Sequence, residues 1–205
     1  MTIYPATTNV GKFVEFSTAA HDKAIHIAKL PGIDDMPDPI EDANSFMGNA
    51  EIKACAYSLL APGFLIVADD SGLEVNALGG DPGVRSARLA DDMNFDPSAG
   101  CKDTRNVLAL LSLLAAAPNP DRSARFVCAL AVARDGNILI RAEGEVEGQI
   151  LDAPRGNDGF GYDPLFLVPS LGLTMAEIPR QQKWEISHRG NAFRSLIAQL
   201  DKLPQ

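Results

Sequence analysis

The chain is 205 residues long, 46% of them hydrophobic, with 18 basic against 27 acidic side chains and a net charge of -9. That is enough apolar material for one domain, or one domain of two lobes, and it excludes disorder as the overall state. The negative balance opposes a broad basic surface for a nucleic-acid backbone, while leaving room for a small anion held by a few converging cations.

The N-terminus reaches polar residues too early for a signal peptide, and no apolar run approaches the ~20 residues needed to cross a bilayer. A soluble cytoplasmic chain with no membrane contact is expected. Thr2 to Ala6 is a strand candidate, Thr7 to Gly11 a polar turn, and Lys12 to Ala28 a helix in which Phe13, Phe16 and Ala20 recur at helical spacing. Pro31 to Asp42 holds three prolines and five acids and reads as a loop. Asn44 or Ser45 can cap a second helix running to about Leu60, with Phe46, Ala50, Ala54 and Tyr57 on its apolar face.

Phe64 to Ala68 is a continuous apolar run, the pattern of a strand buried on both faces, and is expected to end at Asp69-Asp70-Ser71-Gly72. Asp103 to Ala115 carries Val107, Leu110, Leu111 and Leu114 on one helical stripe. Arg125 to Arg134 and Ile138 to Gly148 flank Asp135-Gly136 and predict a hairpin, with Arg141, Glu143, Glu145 and Glu147 facing outward. Phe193, Leu196, Ile197 and Leu200 give a closing amphipathic helix behind Ser187-His188-Arg189. Strand-helix units followed by a hairpin predict an α/β fold with a mixed sheet flanked by helices. The cysteines Cys55, Cys101 and Cys128 are odd in number and widely spaced, so they read as reduced, mostly buried thiols.

Four segments hold chemistry-bearing residues. Thr7-Thr8-Asn9-Val10-Gly11-Lys12 offers hydroxyls, backbone N–H groups near a helix N-terminus and an ammonium to a phosphate chain; by itself it reads as a capped turn with a surface lysine. Asp69-Asp70 places two acids side by side, where repulsion calls for a cation, a donor or water; with Glu41 upstream, hard oxygens of this kind suit magnesium, and a solvated turn is the alternative. Gly156 to Pro164 sets Phe160 and Tyr162 among glycines, either as a stacking platform for a flat ligand or as plugs in the core. Lys183 and Ser187-His188-Arg189 add cations and donors, or simply surface charge. Together these segments supply the parts of one nucleotide site.

In their order these segments resemble the inosine triphosphate pyrophosphatase family, also called non-standard purine nucleoside triphosphatases. The most specific match is Ala68-Asp69-Asp70-Ser71-Gly72-Leu73-Glu74-Val75, continuing through Ala77 to Gly80, Pro82-Gly83 and Ser86-Ala87-Arg88. Thr7 to Lys12, Phe160 to Asp163 and Ser187 to Gly190 supply the others. The resemblance implies an elongated, two-lobed mixed α/β fold over residues 1–205 with an active-site cleft between the lobes, a homodimer, and Mg²⁺-dependent release of pyrophosphate from ITP, dITP and XTP. It implies that Thr7, Thr8, Asn9, Val10, Gly11 and Lys12 bind the triphosphate, that Asp70 is the catalytic carboxylate at the metal, and that Ser71 contacts substrate. Lys53 would face the phosphates as a second catalytic group, Glu41 would be the second metal carboxylate, and Lys12, Lys53 and Lys183 would stabilise growing negative charge. Phe160, Gly161, Tyr162, Asp163, Lys183, His188 and Arg189 would surround the nucleoside, with Arg189 as a donor to the oxygen at C6. The sequence departs from the family pattern at Thr8, Gly48, Asn76 and Trp184, where glycine, glutamate, aspartate and asparagine are common. A β-branched Thr8 would strain the phosphate loop if that position needs a positive φ. A pyrophosphatase for other modified nucleotides, or a nucleotide sensor without turnover, are the rival readings.

Overall fold

The computed structural model describes residues 1–20, 25–200 and 202. In chain order the strands are β1 (Thr2–Pro5), β2 (His26–Ile27), β3 (Ile66–Val75), β4 (Ser123–Arg134), β5 (Asn137–Ile150), β6 (Phe166–Val168) and β7 (Leu173–Thr174). The helices are α1 (Val10–Ala20), α2 (Phe46–Leu60), α3 (Leu89–Asp92), α4 (Lys102–Ala116), α5 (Arg180–Ile186) and α6 (His188–Leu200), with short 3-10 turns at Ile33–Asp35, Asn76–Leu78 and Gly83–Arg88. The strands form one sheet in the order β2-β1-β3-β4-β5-β6-β7. β1 pairs in parallel with β2 and β3, while β6 pairs antiparallel with β5 and β7, so the sheet is mixed as expected.

The chain divides into two compact units, each discontinuous in sequence. Unit 1 comprises residues 1–70, 128–144 and 188–205, and unit 2 comprises residues 71–127 and 145–187. In unit 1, Leu30, Ile33, Tyr57, Ala61 and Ile66 form one buried cluster, and Phe16 of α1 meets Phe193 of α6 with ring centroids 5.5 Å apart. Unit 2 has its own core of Leu73, Val75, Leu89, Val107, Leu110, Leu114, Phe126, Phe166 and Met175, in which the Phe126 and Phe166 rings stack at 4.3 Å. Burial of such side chains is the dominant favourable contribution in each unit.

Several elements follow the expected physics closely. Ser45 caps α2, its hydroxyl accepting from the Gly48 N–H at 3.1 Å, and Phe46, Ala50, Ala54 and Tyr57 are all buried. The hairpin turns on Asp135 (φ 51°) and Gly136 (φ 78°), the two positive φ values a two-residue type I′ turn requires. Arg141, Glu143, Glu145 and Glu147 are exposed along β5.

Other expectations are corrected. α1 ends at Ala20 and does not run to Ala28; residues 21–24 of that expectation lie outside the described residues, and His26–Ile27 is strand. There the ladder wins over helical spacing, with the His26 N–H donating to the Met1 carbonyl and the Ala28 N–H to that of Ile3. β3 does not stop at the acids but continues through Asp69, Asp70, Ser71 and Gly72 to Val75, because the charge on each carboxylate is answered by side chains from elsewhere in the chain. β6, β7, α3 and α5 are additional to the expected elements. Of the cysteines, only Cys128 is buried; Cys55 is half-buried and Cys101 exposed, all three free. No helix among the described residues is long and apolar enough to cross a membrane.

Candidate active site

The loop after β1 is organised by its own side chains. Thr7 Oγ1 accepts from the Asn9 N–H at 3.2 Å, and Asn9 Oδ1 accepts from the Lys12 N–H at 3.1 Å, which caps the first turn of α1. Thr8, Asn9, Val10 and Gly11 are exposed, leaving this N-terminus open. Lys12 turns inward, its Nζ 2.8 Å from Asp69 Oδ2.

Because side chains alternate along a strand, Asp69 and Asp70 serve different faces. Asp69 is 4% exposed, with Lys12 on one side and Arg189 Nε 3.9 Å away on the other. Burial pushes the Asp69 carboxyl pKa up, but the charges of Lys12, Arg189 and Lys53 outweigh it and hold the pKa down at about 2. Arg189 also donates through Nη1 to Glu15 at 3.0 Å. His188 and Arg189, both buried, form the first turn of α6 rather than a segment before it. Gly144 of β5 lets that turn approach: a Cβ there would lie 2.1 Å from the Ala192 nitrogen and 2.4 Å from the His188 carbonyl oxygen.

On the other face, Asp70 Oδ2 accepts from Asn49 Nδ2 at 3.0 Å, and Asp70 Oδ1 lies 3.9 Å from Lys53 Nζ. Lys53 in turn reaches Glu41 Oε2 at 2.8 Å, so one ammonium lies between the two carboxylates singled out as metal ligands. Burial raises the Asp70 carboxyl pKa; Lys53 and Asn49 pull it down, Glu41 and Asp69 push it up, and the net shift is upward. Two acids adjacent in sequence are therefore driven in opposite directions.

Unit 2 holds the remaining candidates. Ser71 follows on β3, half-buried. Phe160 is 50% exposed, and its N–H donates to Asp163 Oδ2 at 2.9 Å. Asp163 is buried and accepts from Lys183 Nζ at 2.6 Å, which sets that ammonium 5.9 Å from the Phe160 ring centroid. The Gly161 N–H donates to Asp103 Oδ2 at 2.8 Å. Tyr162 takes the other reading of its segment: it is 5% exposed, packs in the core, and donates its hydroxyl proton to the Ser86 carbonyl at 2.8 Å. Lys183 belongs with the Phe160 group, whereas Lys12 and Lys53 attend Asp69 and Asp70.

Residues 3–199 match the family model described as the Ham1 family. The chain belongs to the Ham1 family. A relative from Acidobacterium capsulatum, named dITP/XTP pyrophosphatase, is 49% identical over 201 residues, 98% of each chain. One of the same name from Geobacillus kaustophilus is 43% identical over 97% of this chain and 93% of its own. Among solved structures, a HAM1 protein from Coxiella burnetii superposes with a TM-score of 0.86 at 36% identity, covering 99% of this chain and 100% of that one. The Ham1 protein of Staphylococcus aureus gives 0.82 at 37% identity over 98% and 99%.

Three departures of this Ham1 chain can be placed in the structure. Among the described residues, positive φ outside glycine occurs only at Asn94 and Asp135, so Thr8 carries no such strain. At position 48 a Cβ would come within 2.7 Å of the Ala43 Cβ, so the side chain at 43 occupies the space a larger residue at 48 would need. Asn76 donates to Ser123 Oγ at 2.8 Å and sits in a 3-10 turn of unit 2, apart from both β3 acids in its bonding. Sequence reasoning passed over Asn49 and Glu15, whose place beside Asp70 and Arg189 is set by partners 21 and 174 residues away in the chain.

Proposed function

We propose that this chain hydrolyses non-standard purine nucleoside triphosphates, ITP, dITP and XTP, to the nucleoside monophosphate and pyrophosphate, in the cytoplasm and as a homodimer. The observation that carries the reading is the setting of Asp70, a half-buried carboxylate with raised pKa held between Asn49 and Lys53. The relatives named dITP/XTP pyrophosphatase support it over nearly the whole chain.

The residues fit Mg²⁺. Glu41 and Asp70 already flank one cation, the Lys53 ammonium, and their oxygens are the hard donors that magnesium takes while keeping several waters. When bound by these two residues, Mg²⁺ supplies Lewis acidity to the phosphate oxygens. No set of three His, Cys, Asp or Glu side chains converges on a metal position among the described residues.

The loop Thr7 to Lys12 binds the triphosphate through the open N-terminus of α1. Asp70 orients a water toward the α-phosphorus and takes its proton. The oxygen of that water bonds to the α-phosphorus, the bond from the α-phosphorus to the bridging oxygen breaks, and pyrophosphate leaves as one unit. Lys12 and Lys53 offset the growing charge. The exposed ring of Phe160 stacks on the base, with Lys183 and Asp163 holding its surroundings and Ser71 adding a contact. A hydrogen-bond donor at the base edge favours the C6 oxygen of hypoxanthine and xanthine over the amine of adenine.

The test is product analysis with Mg²⁺ and each of ITP, dITP, XTP, GTP and ATP. Monophosphate and pyrophosphate from the first three, with little from the last two, is the expected result. Orthophosphate release would refute attack at the α-phosphorus, and binding without turnover would make the chain a sensor.

A further inference from the structure

Asn49 is 1% exposed on α2, and a buried amide is stable only when both its ends find partners. Its Oδ1 accepts from the Ala43 backbone N–H at 3.0 Å, and its Nδ2 donates to Asp70 Oδ2 at 3.0 Å. The orientation of the amide follows from chemistry. A backbone N–H can only donate, so the oxygen must face Ala43 and the NH₂ must face Asp70. An NH₂ in that position needs an acceptor, which the ionised carboxylate provides.

Lys53 lies four residues further along α2, on the same face of the helix. Asn49 engages Oδ2 of Asp70 while Lys53 faces Oδ1, so the two oxygens are differentiated. The same two residues also reach the segment before α2, Asn49 at Ala43 and Lys53 at Glu41. One helix face thus ties together the carboxylate on β3 and the segment bearing the other acid.

We propose that Asn49 is a positioning residue, fixing the rotamer of Asp70 and its register with the Glu41 segment. This rests on the proposed pyrophosphatase reading. A carboxylate side chain turns freely about its last torsion unless something holds it, and groups that act on a reacting centre lose rate when displaced by about 1 Å. Asn49 supplies the hold with a neutral donor, adding no charge beside three acids already close together.

The test compares wild type with Asn49→Ala and Asn49→Leu, the second keeping the volume filled, and with Ser45→Ala as a reference that weakens the cap of the same helix. Urea unfolding gives stability, steady-state kinetics with dITP separate kcat from KM, and Mn²⁺ titration followed by electron paramagnetic resonance reads cation affinity without turnover. The expected result is a fall of about 10- to 100-fold in kcat and in Mn²⁺ affinity for both Asn49 variants, with KM for dITP little changed. Ser45→Ala should lose stability only. Asn49 variants that keep wild-type kcat and Mn²⁺ affinity, or change only in stability as Ser45→Ala does, would overturn the proposal. If wild type releases no pyrophosphate, the functional reading fails separately. The Mn²⁺ titration then decides Asn49 by itself: weakened binding supports the role, unchanged binding overturns it.

Discussion

Asp69 and Asp70 are consecutive residues of one strand, yet the first gives its carboxylate to Lys12 at 2.8 Å and the second to Asn49 at 3.0 Å. The alternation of a strand separates them, and their surroundings give them opposite energetics. Asp69 is favoured as an anion by the cations around it, while Asp70 carries its charge against a net penalty of burial. Removing each should therefore do different things. Asp69→Asn leaves Lys12 and Arg189 short of a buried counter-charge and should lower the unfolding free energy by about 3 kcal/mol, the scale for breaking a buried pair. Asp70→Asn should leave stability equal or slightly higher while abolishing pyrophosphate release. Urea denaturation and turnover of dITP on both variants check the contrast; matching stability losses would refute it.

Phe160 is a large apolar side chain left half in solvent, in a loop anchored from below by Asp163. Phe160→Ala should change stability by less than about 0.5 kcal/mol, as exposed substitutions do. KM for dITP should nevertheless rise by roughly tenfold, since stacking of a base on an aromatic ring is worth about 1–3 kcal/mol. An unchanged KM would remove Phe160 from the base site.

Tyr162 predicts an alkaline limit to stability. Burial, then the Asp103 carboxylate, raises the phenol pKa well above its ordinary value of 10. The folded state keeps this proton where the unfolded chain would release it, so the stability is fully present below pH 10 and is lost as pH rises above it. Tyr162→Phe should lower stability near neutrality by about 1 kcal/mol through the lost bond to the Ser86 carbonyl. It should also flatten the alkaline decline, as thermal unfolding between pH 8 and 11 would record. An equally steep decline in the variant would assign it to other groups.

Ala43 and Gly48 form a steric pair, since a Cβ at 48 would meet the Ala43 Cβ at 2.7 Å. Gly48→Ala alone should destabilise by about 1–3 kcal/mol, the usual penalty of overpacking. Combined with Ala43→Gly, most of that loss should return, and a double-mutant cycle measures the coupling. Additive effects would show that the loop yields without strain.

What the sequence disclosed was what local chemistry decides. Ser45 before an apolar stripe marked α2, Asp135-Gly136 marked the hairpin turn, and the polar turn before Phe13 marked the loop that Asn9 caps. β3 runs longer than its patterning predicts, because two acids look like an exit from a strand; nothing nearby in sequence announces that Lys12 and Arg189 will answer Asp69. β2 and β7, two residues each, exist only through their partners and carry no periodicity of their own. Phe160 and Tyr162 were indistinguishable as residue types, and the hydrogen bond to Ser86 is what sends Tyr162 inward. Asn49 could have been suspected from a polar residue on the buried side of α2, beside Ala50 and Ala54.

The makeup of unit 1 from three separated stretches has a consequence for how the chain is made. A ribosome delivers the Lys12 loop and Asp69 well before the guanidinium of Arg189, which arrives only with α6. Until then Asp69 has Lys12 but lacks its guanidinium neighbour. Unit 1 therefore closes through contacts of long sequence separation, the kind that form slowly because the intervening chain must first be brought back. Loss of α6 would take the Arg189 guanidinium away from Asp69 while leaving the Thr7–Asn9–Lys12 bonds of the β1 loop in place, since those are internal to it.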